Sequence, residues 1–198
     1  MKKKGKKVLA ILMAALMVVG IMPMDWAAVK VDAADENKHV FNAETVLSAM
    51  EGFAGDAGKK KEITDGTALT DYFKTVGKTM RGNSSTYSVE VKEDAASAIQ
   101  FTVTGKADVT FTATSTGSSN TSMVGLIDAS DNVIPESNGT TKVTGTATPV
   151  TMTYTGLTAG TYRIVSTVTD DSTLSRGVRI LTAKVTETTG GERPARKA

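Results

Sequence analysis

"TGLTAGTYRIVSTV", residues 155–168, decides the reading of the fold. A turn built on Gly156 and Gly160 is followed by Tyr162 and Ile164 on alternate positions and then by a β-branched run. Alternation with period two is the mark of a half-buried strand, and Gly at its entry marks a turn. The stretch reads as a hairpin turn leading into a late strand of an all-β domain.

The same rhythm extends in both directions. In "IQFTVTG", Ile99, Phe101 and Val103 share one face, and Gln100, Thr102 and Thr104 share the other. In "DVTFTATST", Val109, Phe111 and Ala113 alternate with Thr110, Thr112 and Thr114. "SMVGLIDA" is apolar on both faces, which places it centrally, whereas "KVTGTAT" is a weaker strand. "VTMTYTGL" contributes Val150, Met152 and Tyr154. "GVRILTAKVTET" keeps Val178 and Ile180 in phase and then switches to Leu181, Ala183 and Val185, which predicts a β-bulge. Thr is frequent because its branched side chain suits strands while its hydroxyl keeps an outer face wet. Some seven or eight short strands with a turn every 8–12 residues or so predict a jelly-roll-like antiparallel β-sandwich. No connection is long enough for regular helical crossovers.

Before Tyr87 the pattern is mixed. Residues 34–42 are polar and read as a mobile lead-in. "NAETVLSAMEGFAG" predicts a short helix, with Asn42 as N-cap, Val46, Leu47, Met50 and Phe53 at helical spacing and Gly55 as the stop. "ALTDYFKTVG" fits a helix face through Leu69, Tyr72, Phe73 and Val76, or a strand over Tyr72–Val76. "RGNSST" reads as a turn.

The extreme N-terminus has its own composition. Lys2, Lys3, Lys4, Lys6 and Lys7 precede an apolar run from Val8 to Met22, which is shorter than the ~20 residues of a membrane span. "VDAADE" then offers small residues for cleavage after Ala33. Residues 1–33 are read as a secretory signal peptide, which predicts a secreted, extracellular protein, free or held at the cell surface, with no membrane contact after cleavage. The chain has 23 basic and 21 acidic residues; without the six Lys and two Asp of the leader, 17 and 19 remain. The basic excess thus belongs to the leader, and nucleic acid is not an expected partner. With no Cys and one His, His39, the domain must hold together by packing, and zinc and copper sites are excluded. His39 reads as solvated. The expected state is a monomer. "TETTGGERPARKA" closes the chain, with 189–198 reading as a linker to a further C-terminal region. The domain plan is 1–33 leader, 34–64 N-terminal segment with the helix, 65–188 sandwich and 189–198 linker.

Chemistry is sparse. No Ser or Thr has a general base at motif spacing, there is no Gly-x-Ser-x-Gly elbow, and Glu90, Glu93 and Asp94 read as solvated charges rather than a carboxylate pair. This chain is not expected to be an enzyme. "DASDN" places Asp128 and Asp131 in one tight loop, the candidate for a calcium ion, though calcium takes six to eight oxygens. Arg176 and Arg179 in "LSRGVRI" and Arg163 in the neighbouring strand, joined by Lys142, form a candidate anion-recognising set. The guanidinium fork pairs bidentately with carboxylates, as an acidic sugar would require.

"AIQFTVTGKADVTFTATSTGSSNTSMVGLIDASDNVI", followed by "YTGLTAGTYRIVST" and "RGVRI", resembles the β-sandwich modules attached to bacterial secreted pectate lyases and related pectin-degrading enzymes. The resemblance covers roughly residues 65–188. Where several members carry Arg, this chain reads "AIQF" and "TSMVGL". The resemblance implies that "DYFKTVG" is a strand. It also implies a non-catalytic module that holds its enzyme on an acidic plant polysaccharide such as pectin or polygalacturonate. The lyase centre of such proteins would lie beyond Ala198. A structural spacer or adhesion module without a ligand is the alternative.

Overall fold

A computed structural model describes residues 36–51, 60–84, 86–92, 97–118, 121–139, 142–145, 147–166, 174–175 and 177–188. All belong to one unit, Ala34–Ala198. Among the described residues it is a β-sandwich of two seven-stranded sheets with one short helix. Among the described residues no helix is long and apolar enough to cross a membrane.

The first sheet runs β11 (Val150–Leu157), β7 (Lys106–Ser115), β14 (Val178–Thr188), β5 (Ser88–Val91), β4 (Met80–Asn83), β2 (Lys60–Ile63), with β1 (Glu36–Asn42) also on β14. The second runs β10 (Lys142–Thr144), β8 (Thr121–Asp128), β12 (Gly160–Ser166), β6 (Ser97–Val103), β3 (Lys74–Gly77). The two-residue strands β9 (Val133–Ile134) and β13 (Leu174–Ser175) add to β8. Every pairing is antiparallel except the short β13–β8 contact.

The residues that alternate inward in the sequence make the core. Ile99, Phe101, Val103, Val109, Phe111, Ala113, Met152, Tyr154, Ile164, Val178, Ile180 and Val185 are all buried in one cluster between the sheets. The bulge predicted after Ile180 is present as a register shift on β7 between Ile180 and Thr182. It falls where β14 changes neighbour, from β1 over Thr182–Thr188 to β5 over Val178–Ile180. The helix α1 (Ala43–Ala49) contacts both β14 and β5 near this break and buries Ala43 and Leu47 in the core. Asn42 caps it, its side-chain oxygen accepting from the Thr45 N–H at 3.1 Å.

Four expectations need correction. Residues 36–42 are a full strand on β14 rather than a mobile lead-in, because Phe41 is completely buried and the backbone is paired along its length. The helix ends at Ala49, before the expected Gly55 stop. "RGNSST" contains most of β4, with Gly82 and Asn83 buried against β5. The turn between Leu157 and Gly160 is not a hairpin: β11 pairs with β7 in the first sheet, whereas β12 pairs with β6 and β8 in the second. Gly156, at a φ of 69°, takes the left-handed backbone that a side chain resists, and the register on β7 shifts there. The Tyr162 hydroxyl donates back to the Thr158 carbonyl at 2.9 Å and fixes the corner between sheets.

The outer edge of β11 is covered. Glu136 accepts from the Thr153 and Asn138 N–H groups, both at 2.7 Å, and the Ser137 N–H donates to the Thr153 carbonyl at 2.8 Å. An open row of strand N–H and C=O groups would invite pairing with another chain.

Candidate functional site

The structure separates the four expected anion-binding residues. Arg163 lies on β12 and Lys142 on β10, both on the outer face of the second sheet, as the register through Ile127 and Met123 of β8 requires. Arg179 lies on the first sheet, and Arg176 is outside the described residues. Arg179 is only 11 % exposed, and its Nε donates to Glu90 at 3.0 Å. It closes a row of alternating charge, Glu62, Arg81, Glu90 and Arg179, across four adjacent strands. Arg163 pairs with Asp131 and donates to the Asp128 carbonyl at 3.3 Å.

The candidate calcium loop is closed by its own hydrogen bonds. Oδ1 of Asp128 accepts from the N–H groups of Ser130 and Asn132 at 2.8 and 2.9 Å, and Oδ2 accepts from the Asn132 amide at 2.9 Å. Hydrogen bonds from Asn132, its side chain first, hold the Asp128 carboxyl below its ordinary range. A cation would have to compete with these donors and with the Arg163 guanidinium. Among the described residues no group of three or more His, Cys, Asp and Glu is placed to hold a metal ion.

A different place gathers polar groups around an aromatic ring. At the β3–β6 edge of the second sheet, a cleft of about 340 Å³ is lined by Asp71, Tyr72, Lys74, Gln100, Phe101 and Thr102, with Gly66, Ala68, Thr70 and Phe73 completing its wall. The pairings Lys74–Gln100 and Gln100–Arg163 put these three side chains in one row across β3, β6 and β12. Strand spacing makes the row roughly 10 Å long. Thr102 and Thr161 stand beside it with their hydroxyls 3.2 Å apart. Tyr72 is half-buried, and Lys74 and Asp71 are exposed.

Tyr72 is held from behind. Its ring stacks on His39, with centroids 3.6 Å apart and planes 5° from parallel, and lies 6.2 Å from Phe101. Its hydroxyl donates to Glu187. Glu187 is only 3 % exposed and also accepts from the Thr104 hydroxyl at 2.6 Å and the Thr104 N–H at 3.2 Å. Burial, followed by the hydrogen bond and charge of Glu187, pushes the Tyr72 phenol well above its ordinary value. Burial would raise the Glu187 carboxyl too. The hydrogen bonds from Thr104 and Tyr72, with the charge of His39, outweigh it and hold the carboxyl below the usual range.

A depressed native pKa makes Glu187 stabilising above its unfolded-state value of about 4.3, and that contribution is lost as pH falls through the native value. The denaturant midpoint is therefore expected to drop as pH falls below about 4. E187Q is expected to flatten that limb of the profile; an unchanged limb would assign the acid sensitivity to other carboxylates.

Sequence reasoning missed this cluster. His39 is stacked on a ring rather than simply solvated. Tyr72 and Glu187 are 115 residues apart, so nothing local joins them.

No known sequence family matches the chain, and no curated relative matches it. Among the solved structures that it resembles are carbohydrate-binding modules. One is the CBM36-1 domain of a multidomain xylanase from the hindgut metagenome of Trinervitermes trinervoides, at 14 % identity and a TM-score of 0.36, covering 78 % of this chain and 99 % of that one. A CBM36 module in complex with calcium and xylotriose has 14 % identity and a TM-score of 0.36, covering 64 % and 98 %. The CBM22-1 xylan-binding domain of Paenibacillus barcinonensis Xyn10C has 12 % identity and a TM-score of 0.34, covering 69 % and 99 %. The two-sheet architecture itself stands on the strand pairing above.

Proposed function

We propose that this domain is a non-catalytic polysaccharide-binding module whose ligand lies along the outer face of the second sheet, from the Tyr72 cleft toward Arg163. The observation that carries the reading is the concentration of polar side chains around a half-buried aromatic ring. Lys74, Gln100, Thr102 and Asp71 all line one open cleft with Tyr72. An apolar ring face with a few hydrogen-bonding groups at its rim suits a sugar, whose faces are apolar and whose edges are hydroxyls.

The finer reading is an acidic polysaccharide such as pectin or polygalacturonate. Lys74, Arg163 and Lys142 share the outer face of the second sheet, and cations there favour a uronate carboxylate. With the resemblance noted above, this gives a secreted protein: a leader over 1–33, the sandwich as a monomeric targeting module, and a linker at 189–198 toward a pectin-degrading region. Several weak contacts would raise the enzyme's local concentration on the cell wall.

The test is retention on immobilised polygalacturonate, pectin and neutral xylan, each with calcium and with chelator. Retention on the two acidic polymers, weakened about tenfold by K74A/R163A, is the expected result; losing two solvent-exposed ion pairs worth up to about 1 kcal/mol each accounts for a change of that order. Equal retention on xylan would remove the acidic specificity. Loss under chelation would return the Asp128–Asp131 loop to the site.

A spacer without a ligand is the second reading. Cross-strand Thr pairs favour it, since Thr112–Thr151 and Thr121–Thr144 satisfy one another at 3.2 and 2.9 Å. Absence of retention on all three polymers would select it.

A further inference from the structure

We infer that Glu187 is a positioning residue for the ligand cleft, acting from the opposite sheet to fix the pose of Tyr72. The inference rests on the proposed function and deepens it. Glu187 lies near the end of β14 in the first sheet, while the cleft is formed by β3, β6 and the segment before β3. Its carboxylate reaches across the end of the sandwich and, among the described residues, takes its donors from that side: the Tyr72 hydroxyl on one oxygen, with the Thr104 N–H, and the Thr104 hydroxyl on the other. Thr104 follows directly on β6, two residues after Thr102 of the cleft wall.

A buried carboxylate is a costly way to fill space, and an apolar residue of similar size would do so more cheaply. What the carboxylate adds is direction. A charge-assisted hydrogen bond fixes the hydroxyl end of the ring, while His39 stacks on one face and the Phe101 ring lies 6.2 Å away. The ring is therefore set before ligand arrives, so binding spends no free energy on ordering it. A ring free to rotate would present several surfaces, of which one fits.

The experiment is a double-mutant cycle read as polygalacturonate affinity on the full chain, with thermal unfolding measured alongside. Y72F keeps the ring and removes the hydroxyl; E187A removes the acceptor; E187Q keeps an acceptor oxygen. Y72F and E187A are each expected to weaken binding about tenfold, with the double variant no weaker than either, because the two changes break one link. E187Q is expected to recover most of the loss. If E187A does not fold, Y72F and E187Q decide the question alone. Y72F binding like the unaltered protein, while Y72A loses binding, would overturn the positioning role and leave the cleft intact as the site. Unaltered binding by Y72A would overturn both.

Discussion

Replacing Phe101 with Ala is expected to destabilise the domain by about 3–5 kcal/mol, the usual cost of removing a buried aromatic side chain. For a domain of this size the thermal midpoint should fall by on the order of 10 °C. Phe101 is 2 % exposed and is the hub of the aromatic cluster: its ring lies 5.6 Å from Phe73, 5.9 Å from Tyr162 and 6.2 Å from Tyr72. Truncation leaves a void beneath three rings at once, and those rings belong to the cleft wall, the β3 entrance and the corner between sheets. Phe101→Leu fills most of that void and should cost much less. Chemical denaturation of the two variants checks the claim, and a loss under about 1 kcal/mol for Phe101→Ala would show that the cluster collapses to fill the gap.

The second large effect is expected at Arg179. Arg179→Ala should cost about 3 kcal/mol, because it removes the guanidinium donor from a Glu90 carboxylate that is only 12 % exposed. Replacing both partners together, as in Arg179→Met with Glu90→Leu, should return most of that stability, since two apolar side chains leave no buried charge behind. Neither change should alter retention on polygalacturonate. A loss of retention with stability intact would reverse the assignment and restore Arg179 to the ligand site.

The sequence made the central strands legible for a physical reason. Where every second residue is large and apolar, as in Ile99–Phe101–Val103 or Val109–Phe111–Ala113, burial follows the alternation, and all six residues are in the core. The bulge of β14 was legible too, because it switches the apolar phase between Ile180 and Leu181, where the register on β7 shifts. Strand β4 left no such trace, since its buried positions include Gly82 and Asn83, residues that also favour turns. Strand β1 was hidden by charge, with Phe41 its one large apolar residue buried in the core. The crossing between sheets from Leu157 to Gly160 could not be told from a hairpin, because both need a tight turn between two alternating segments.

The candidate site was the least legible part. Arg163 was named from its residue type alone, and the register with Gln100 sets it at the end of the polar row. Arg179 has the same chemistry but belongs to a cross-strand charge ladder, and type alone does not separate the two roles. Tyr72 and Lys74 sat in a stretch that fitted helix and strand equally. Only the pairing of β3 with β6 brings Lys74 beside Gln100 and opens the cleft.

The pairing of the first described strand with the last also sets how the domain can fold. β1 and β14 meet over seven residue pairs, from Glu36–Thr188 to Asn42–Thr182, and β14 lies between β7 and β5. The first sheet therefore cannot close until β14 is present. Contacts of such long sequence separation slow folding, because the loop they close must be ordered before they return any stability. A chain halted before Val178 would lack the strand that joins β7, β5 and β1, so the sandwich should fold as a global event once β14 has been made rather than strand by strand from the N-terminal side.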